Sequence, residues 1–547
     1  MLISSSIFFS CRKELTEKTE KGNAPILHSD ISMVTGPGSE GIMEFAPQTP
    51  NPYTLSNMQA ALDSLAIRNE LLCDITKFVI RATHKYIKFK PNDSIQFEKL
   101  LDDTSLILFD YPLDRKITKG GTYYRDPSIS ESQPNYQWCC VKADKALPSD
   151  VPYDILADLY LPEEDPNLIQ FYNTEFDHCI TLLIDEALKR TGNYDTSNYY
   201  GGMTSGGDLV SLKLPTKWTP AGNIKRTDNR QNTDIGLEGA KVRAHRWFET
   251  RECLTDANGN FNVIWQFRYP VDYSIKWERQ DFDIRSGTFG QAYFNGPHQR
   301  GDWNLVINSG KSRHYAHIFR AGIDYFYKAV SQFSLTAPPS NTFWNPRLHI
   351  AAHDKNKTSK NATTHPWTRP FSIFPIMDFY NPDRRSDFIY GTAIHEIAHY
   401  AHWGFNKNGF NTGEDRVAES WGEGVEWVFC SWRYGSYGDA NDAAMTTGGT
   451  DSYQERVRAG IDFNADIDFF STYTPLVVDL IDEENQRNTR GHGGSTDWPI
   501  DRVNGYSIGQ IETSFKKSKT WTEWRTNLFN DHTNSTENLL QELFDNW

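Results

Sequence analysis

Apolar residues recur with two different periods along this 547-residue chain, and the period changes more than once. From Met58 to Ile87, "MQAALDSLAIRNELLCDITKFVIRATHKYI" has helical spacing, "TSLILFDYPL" (Thr104–Leu113) reads as a strand, and "IQFYNTEFDHCITLLIDEALKR" (Ile169–Arg190) is mixed. Alternation then takes over. Phe261, Val263, Trp265 and Phe267 form one face with a period of two, and Tyr273, Ile275 and Trp277 form another. The "DANGN" at Asp256–Asn260 is turn chemistry, with Asn258 and Gly259 suited to positive φ. Strands joined by such turns predict a small β-sandwich. Beyond about Ser286 helical spacing returns: "HYAHIFRAGIDYFYKAVSQF" is a predicted helix, and "PRLHIAAHD" and "FSIFPIMDFY" are predicted strands. A further helix is predicted over Glu414–Trp432, where Val417, Trp421, Val425, Val428 and Trp432 form one apolar stripe and Glu419, Glu423 and Glu426 cluster opposite it.

The expected fold class is therefore multidomain α+β. Residues 1–11 read as a signal, 12–52 as a polar, Gly/Pro-bearing tether, and 53–206 as an α/β domain of unassigned role. Residues 217–290 read as the β-sandwich, and 291–547 as a mainly helical domain. No 20- to 50-residue repeat is evident, which argues against a solenoid or propeller.

The chemistry is concentrated in "IYGTAIHEIAHYAHWGFN", Ile389–Asn406. A helix is expected to start near Ser386/Asp387 or Thr392 and to stop near Gly404. On it His395 and His399 differ by about 40° in azimuth and about 6 Å in height, so both imidazoles can reach one ion. Glu396 lies about 100° round the same turn, placed to reach a metal-bound water. With 15 histidines in 547 residues, chance yields on the order of 0.02 such motifs. His402 lies about 10 Å along the axis from His395 and is read as a rim or packing residue. His314 and His317 form a second helically spaced pair, read as structural.

A catalytic zinc takes three protein ligands and leaves one position open, so a third ligand must come from another segment. The acidic face of the Glu414–Trp432 helix is the candidate, although helix statistics alone would make it a solvated stripe. HEIAH followed after 19 residues by Glu419, with Glu423 four further on, resembles the gluzincin zinc metallopeptidases. The resemblance implies Zn2+ held by His395, His399 and Glu419, Glu396 as catalytic general base, and Glu423 orienting a ligand histidine. Glu423 stands where that family has Asp. A second alignment sets "GEGVE" on the NEG segment of gluzincin aminopeptidases and makes Glu423 the ligand. Tyr473, His492 and Tyr506 are candidate oxyanion donors that spacing does not discriminate. The 217–290 region resembles the carboxypeptidase regulatory-like domain, which implies a docking or structural module.

Composition narrows the partners. A net charge of -15 argues against nucleic acid, which requires a concentrated basic surface. The substrate implied is a peptide or protein. "MLISSSIFFSCRKE" ends an apolar run in Ser10-Cys11 and resembles a lipoprotein signal, implying a lipid anchor and a place in the cell envelope, at the outer membrane of a Gram-negative bacterium. The six other cysteines include no CxxC pair and are expected to be mostly free thiols. The alternative function is an envelope binding lipoprotein for glycan or peptide, with a vestigial or structural metal site. Trp and Tyr faces can stack on sugars.

Overall fold

The structure, a computed structural model, describes residues 41–194, 216–342, 347–353, 362–364, 377–435, 474–485 and 500–547, apart from a few positions within those ranges. Cys11, Tyr473, His492 and all of the tether before Gly41 lie outside them. The described chain is multidomain, with both helices and sheets, and so belongs to the α+β class.

In the first unit, helices α1 (Leu55–Arg68) and α2 (Thr174–Arg190) pack on each other. Beside them is an antiparallel sheet in the order β2-β1-β3, from β1 (His84–Phe89), β2 (Gln137–Lys142) and β3 (Tyr153–Leu159). Cys73 and Cys179 form a disulfide, while Cys139, Cys140, Cys253 and Cys430 are not disulfide-bonded. Three local expectations are corrected here. The helical run after Met58 stops at Arg68: Asp74 caps a single 3-10 turn, accepting from Thr76 N at 3.0 Å, and the tail of the run becomes β1. Among the described residues Thr104–Leu113 forms only an isolated bridge, Phe109 with Trp138. Its apolar side chains fill core, but Asp110 in its middle is buried and accepts from Gln137 Nε2 and Gln291 N, both at 2.9 Å, so it serves as a cross-link between segments. The mixed run at Ile169–Arg190 resolves into α2, with Ile180, Leu183, Ile184 and Ala187 turned into the core.

Two four-stranded sheets follow. One comprises β4 (Ala221–Asp228), β5 (Thr233–Gly236), β8 (Asn260–Asn262) and β12 (Trp303–Ile307); the other orders β11-β9-β6-β7 from β6 (Lys241–Arg246), β7 (Glu249–Leu254), β9 (Val271–Lys276) and β11 (Tyr293–Gln299). They meet through Phe261 and Trp303 on one side and Tyr273 and Phe294 on the other, with ring centroids 5.3–6.3 Å apart. Gly259 has φ 83°, as its turn requires. The alternating run from Phe261 pairs only over Asn260–Asn262; Phe267 is buried against Trp218, whereas Trp265 is 38% exposed.

A further sheet is mixed. β10 (Phe282–Ser286), β13 (Leu348–Ala352) and β15 (Met377–Phe379) run parallel, and β14 (Ala362–Thr364) closes the edge antiparallel. Helix α3 (Gly310–Phe333) lies against this sheet: a Cβ on Gly322 would strike the Phe282 ring at 2.6 Å. Helix α4 (Ser386–Phe405) packs between α3 and α5 (Asp415–Tyr434). As expected, α4 ends near Gly404: its last residue is Phe405, and it closes with Asn406 N donating to His402 O. The shorter α6 (Leu476–Ile481) and α7 (Ile508–Phe515) cover the far side of α5, where Trp421 stacks on Phe515 at 4.7 Å.

Candidate metal centre

Helix α4 is buried on every side from Ile389 to Trp403, as expected for a helix whose polar residues find partners inside the protein. Its start is fixed to the β4–β5 turn, where Asn229 Oδ1 accepts from Ser386 N and Oγ, both at 2.8 Å. Its middle is clamped to both neighbouring helices by one buried carboxylate. Asp324 of α3 accepts from Tyr390 Oη of α4 at 3.0 Å and from Arg433 of α5 at 2.6 and 2.7 Å. Charges on both arginines, Arg320 and Arg433, outweigh the upward push of burial and hold Asp324 below the usual carboxylate range.

On this frame three donor atoms converge. His395 Nε2 and His399 Nε2 are 3.0 Å apart, and Glu419 Oε2 lies 3.2 Å from the first and 3.3 Å from the second. A tetrahedral ion with ligands at about 2.05 Å spaces those ligands about 3.3 Å apart. The cluster therefore has the size and donor set of a two-histidine, one-carboxylate cation site, and it can hold a metal ion. All three side chains are buried, as is Glu396 next to His395. Burial alone would raise the Glu419 carboxyl, but His399 charge and hydrogen bonds from both imidazoles override it and hold the group well below its ordinary value.

The other edge of His395 is equally occupied. Its Nδ1 lies 3.5 Å from Glu426 Oε2 and 3.7 Å from Glu423 Oε1. Glu419 thus faces both histidines on the converging side, and Glu423 approaches His395 from behind. The three glutamates that helix statistics would expose are all buried, because the face opposite the Trp421 stripe meets the histidines of α4. Glu426 is the addition the sequence did not assign: its i+7 spacing from Glu419 puts it on the same face, but the signal is no stronger than for any acidic stripe. Two glycines make the approach possible. A Cβ on Gly422 would lie 2.8 Å from His395 Cε1, and one on Gly391 would lie 2.5 Å from Glu426 Oε1.

The other candidates fall elsewhere. His402 packs on Phe515 (4.4 Å) and Phe410 (5.5 Å), and burial with neighbouring His399 pushes it well below its usual value. His314 and His317 are core residues of α3, His317 Nε2 lying 3.3 Å from Thr227 O. Tyr506 is buried, with its backbone N donating to Leu480 O at 3.0 Å. No family model, curated protein or solved structure matches this chain.

Proposed function

We infer that the chain is a zinc-dependent metallopeptidase in which His395, His399 and Glu419 hold the ion and Glu396 is the catalytic general base. The observation that carries this reading is the convergence of two imidazole nitrogens and one carboxylate oxygen at ligand spacing, with a fourth group, Glu396, on the same helical turn. A purely structural site closes its fourth position and has no use for a base.

Zinc bound there would supply Lewis acidity and bring a water within reach of deprotonation near neutral pH. Glu396 accepts the proton of the attacking water and returns it to the leaving amine of the peptide. His395 is kept on axis by Glu423 and Glu426 behind its Nδ1, the kind of outer carboxylate support that raises ligand basicity. The same reading makes the helical region 291–547 a zincin-like catalytic domain and 217–290 a carboxypeptidase regulatory-like docking module. The apolar run ending in Ser10-Cys11 separately supports a place in the cell envelope, with an anchor through acylated Cys11.

Glu396→Gln tests it. The amide keeps the side chain's size and leaves the three ligands in place, so zinc content should stay at the wild-type level. Hydrolysis of a mixed peptide library should fall by about 100- to 10,000-fold. Full activity in this variant would remove the hydrolase reading.

A further inference from the structure

A cavity of 440 Å³ opens where the first unit meets the β6–β7 hairpin. It lies within the range of small-molecule sites, about 300 to 1,000 Å³. Its lining departs from the rest of the chain in charge. The protein carries -15 overall, yet the ionised side chains lining this cavity are Arg115, Lys116 and Arg246 against Asp272 alone. His245, also in the wall, adds no charge at neutral pH because burial pushes it down to about 4. Among the described residues, neither Arg115 nor Lys116 has an ion-paired or hydrogen-bonded side-chain partner, and both are exposed.

The aromatic part of the wall is held in an unusual conformation. Trp247, half-buried at the hairpin tip, has φ 53°; among the described residues the other non-glycine residues with positive φ are Asn232, Ser334 and Asn381. A bulky side chain there is an outlier, and such outliers gather where a side chain must be presented to a ligand. The backbone on either side is pinned, with Arg246 stacked on the Tyr269 ring at 3.9 Å and Phe248 in the core. The indole packs on one side against Tyr53 and Phe248, with ring centroids 6.2 and 6.3 Å away, and its exposed part lines the cavity. Asp272 and His298, paired at 2.9 Å and both substantially exposed, add an acceptor and a second polar group.

We propose that this cavity binds a hexuronate-containing saccharide. The pyranose ring lies on Trp247, the uronate carboxylate meets Arg115 and Lys116, and ring hydroxyls reach Asp272 and His298. A neutral sugar leaves the two cations unused, whereas a uronate supplies both a carboxylate for them and hydroxyls that donate to the Asp272 carboxylate. The site shares no residue with the metal centre, so it stands or falls independently of the peptidase reading.

The test is calorimetric titration of the full chain with digalacturonate and, separately, with its neutral counterpart galactobiose. Digalacturonate should bind and saturate below about 10 mM, and galactobiose should bind at least about tenfold more weakly. Trp247→Gly removes the platform while suiting the positive φ, and should weaken digalacturonate at least about tenfold. The paired exposed changes Arg115→Gln and Lys116→Gln should weaken it by a similar factor and flatten its salt dependence. Zinc content and peptide hydrolysis should be unchanged in all of them. No saturation by digalacturonate, equal affinity for galactobiose, or unaltered affinity in either variant would overturn the proposal.

Discussion

Gly422→Ala is the sharpest probe of the metal centre, because it touches a ligand without altering any ligand. Gly422 and Gly424 stand mid-helix in α5, where glycine costs about 1 kcal/mol relative to alanine. Each lies against a neighbour that leaves no room for a methyl group. A Cβ at Gly422 would sit 2.8, 3.0 and 3.1 Å from Cε1, Nε2 and Nδ1 of His395, where carbon contacts settle at about 3.5 to 4.0 Å. The ring must move by about half an ångström or more, and Glu423 and Glu426 behind Nδ1 oppose that movement. Overpacking costs about 1 to 3 kcal/mol and the propensity gain returns about 1, so the metal-free protein should lose only about 0 to 2 kcal/mol. Metal affinity should fall by about 10- to 100-fold, the range for disturbing a ligand's support. Gly424→Ala is the control: its Cβ would lie 2.3 Å from Val477 Cβ of α6, so it should cost stability and leave zinc affinity alone. Chelator competition for zinc and urea unfolding of the metal-free protein measure the two quantities. Wild-type affinity in Gly422→Ala, or an equal loss in Gly424→Ala, would refute the argument.

Four further expectations can be tested, two at the metal centre and two elsewhere in the chain. Glu419→Gln should weaken zinc binding strongly, since an amide is a poorer ligand than a carboxylate. Glu423→Gln should weaken it by only about 10- to 100-fold, and the reverse order in chelator competition would make Glu423 the ligand. His245 is pushed down to about 4 by burial, from an ordinary 6.5. Between those values the unfolded chain takes up a proton that the folded one refuses, so stability present above pH 6.5 is lost as pH falls toward 4, by up to about 3 kcal/mol. Denaturation midpoints of wild type and His245→Gln across that window should converge at low pH if this is correct. Mass spectrometry of the native N-terminus should find acylated Cys11, and a chain that begins at unprocessed Met1 would discard the anchor.

What could be read from the sequence was whatever depends on residues one to four positions apart. The long helices declare themselves by their 3.6-residue period, α3 through the apolar run ending at Phe333 and α5 through the Val417–Trp432 stripe. The two histidines of α4 declare themselves by their i, i+4 spacing. Where the period misled, a tertiary partner had changed the meaning of an apolar run. Leu106, Leu108 and Leu113 are apolar because they fill core, but among the described residues no strand pairs with them beyond the Phe109 bridge.

The third ligand and its support lay beyond such reading. Glu419 is 20 residues from His399, and no local pattern separates an acid that faces water from one that faces an imidazole. Only the packing of α5 between α4 and α7 decided that. One face of α5 meets the histidines and the other meets Phe515, so the three glutamates are buried together with Val417, Trp421 and Val425. The residue types needed for chemistry are a local property of the chain. Their convergence within about one ligand spacing is set by helices that are distant in sequence, held together by Asp324 and brought close by glycines whose purpose appears only when their neighbours are in place.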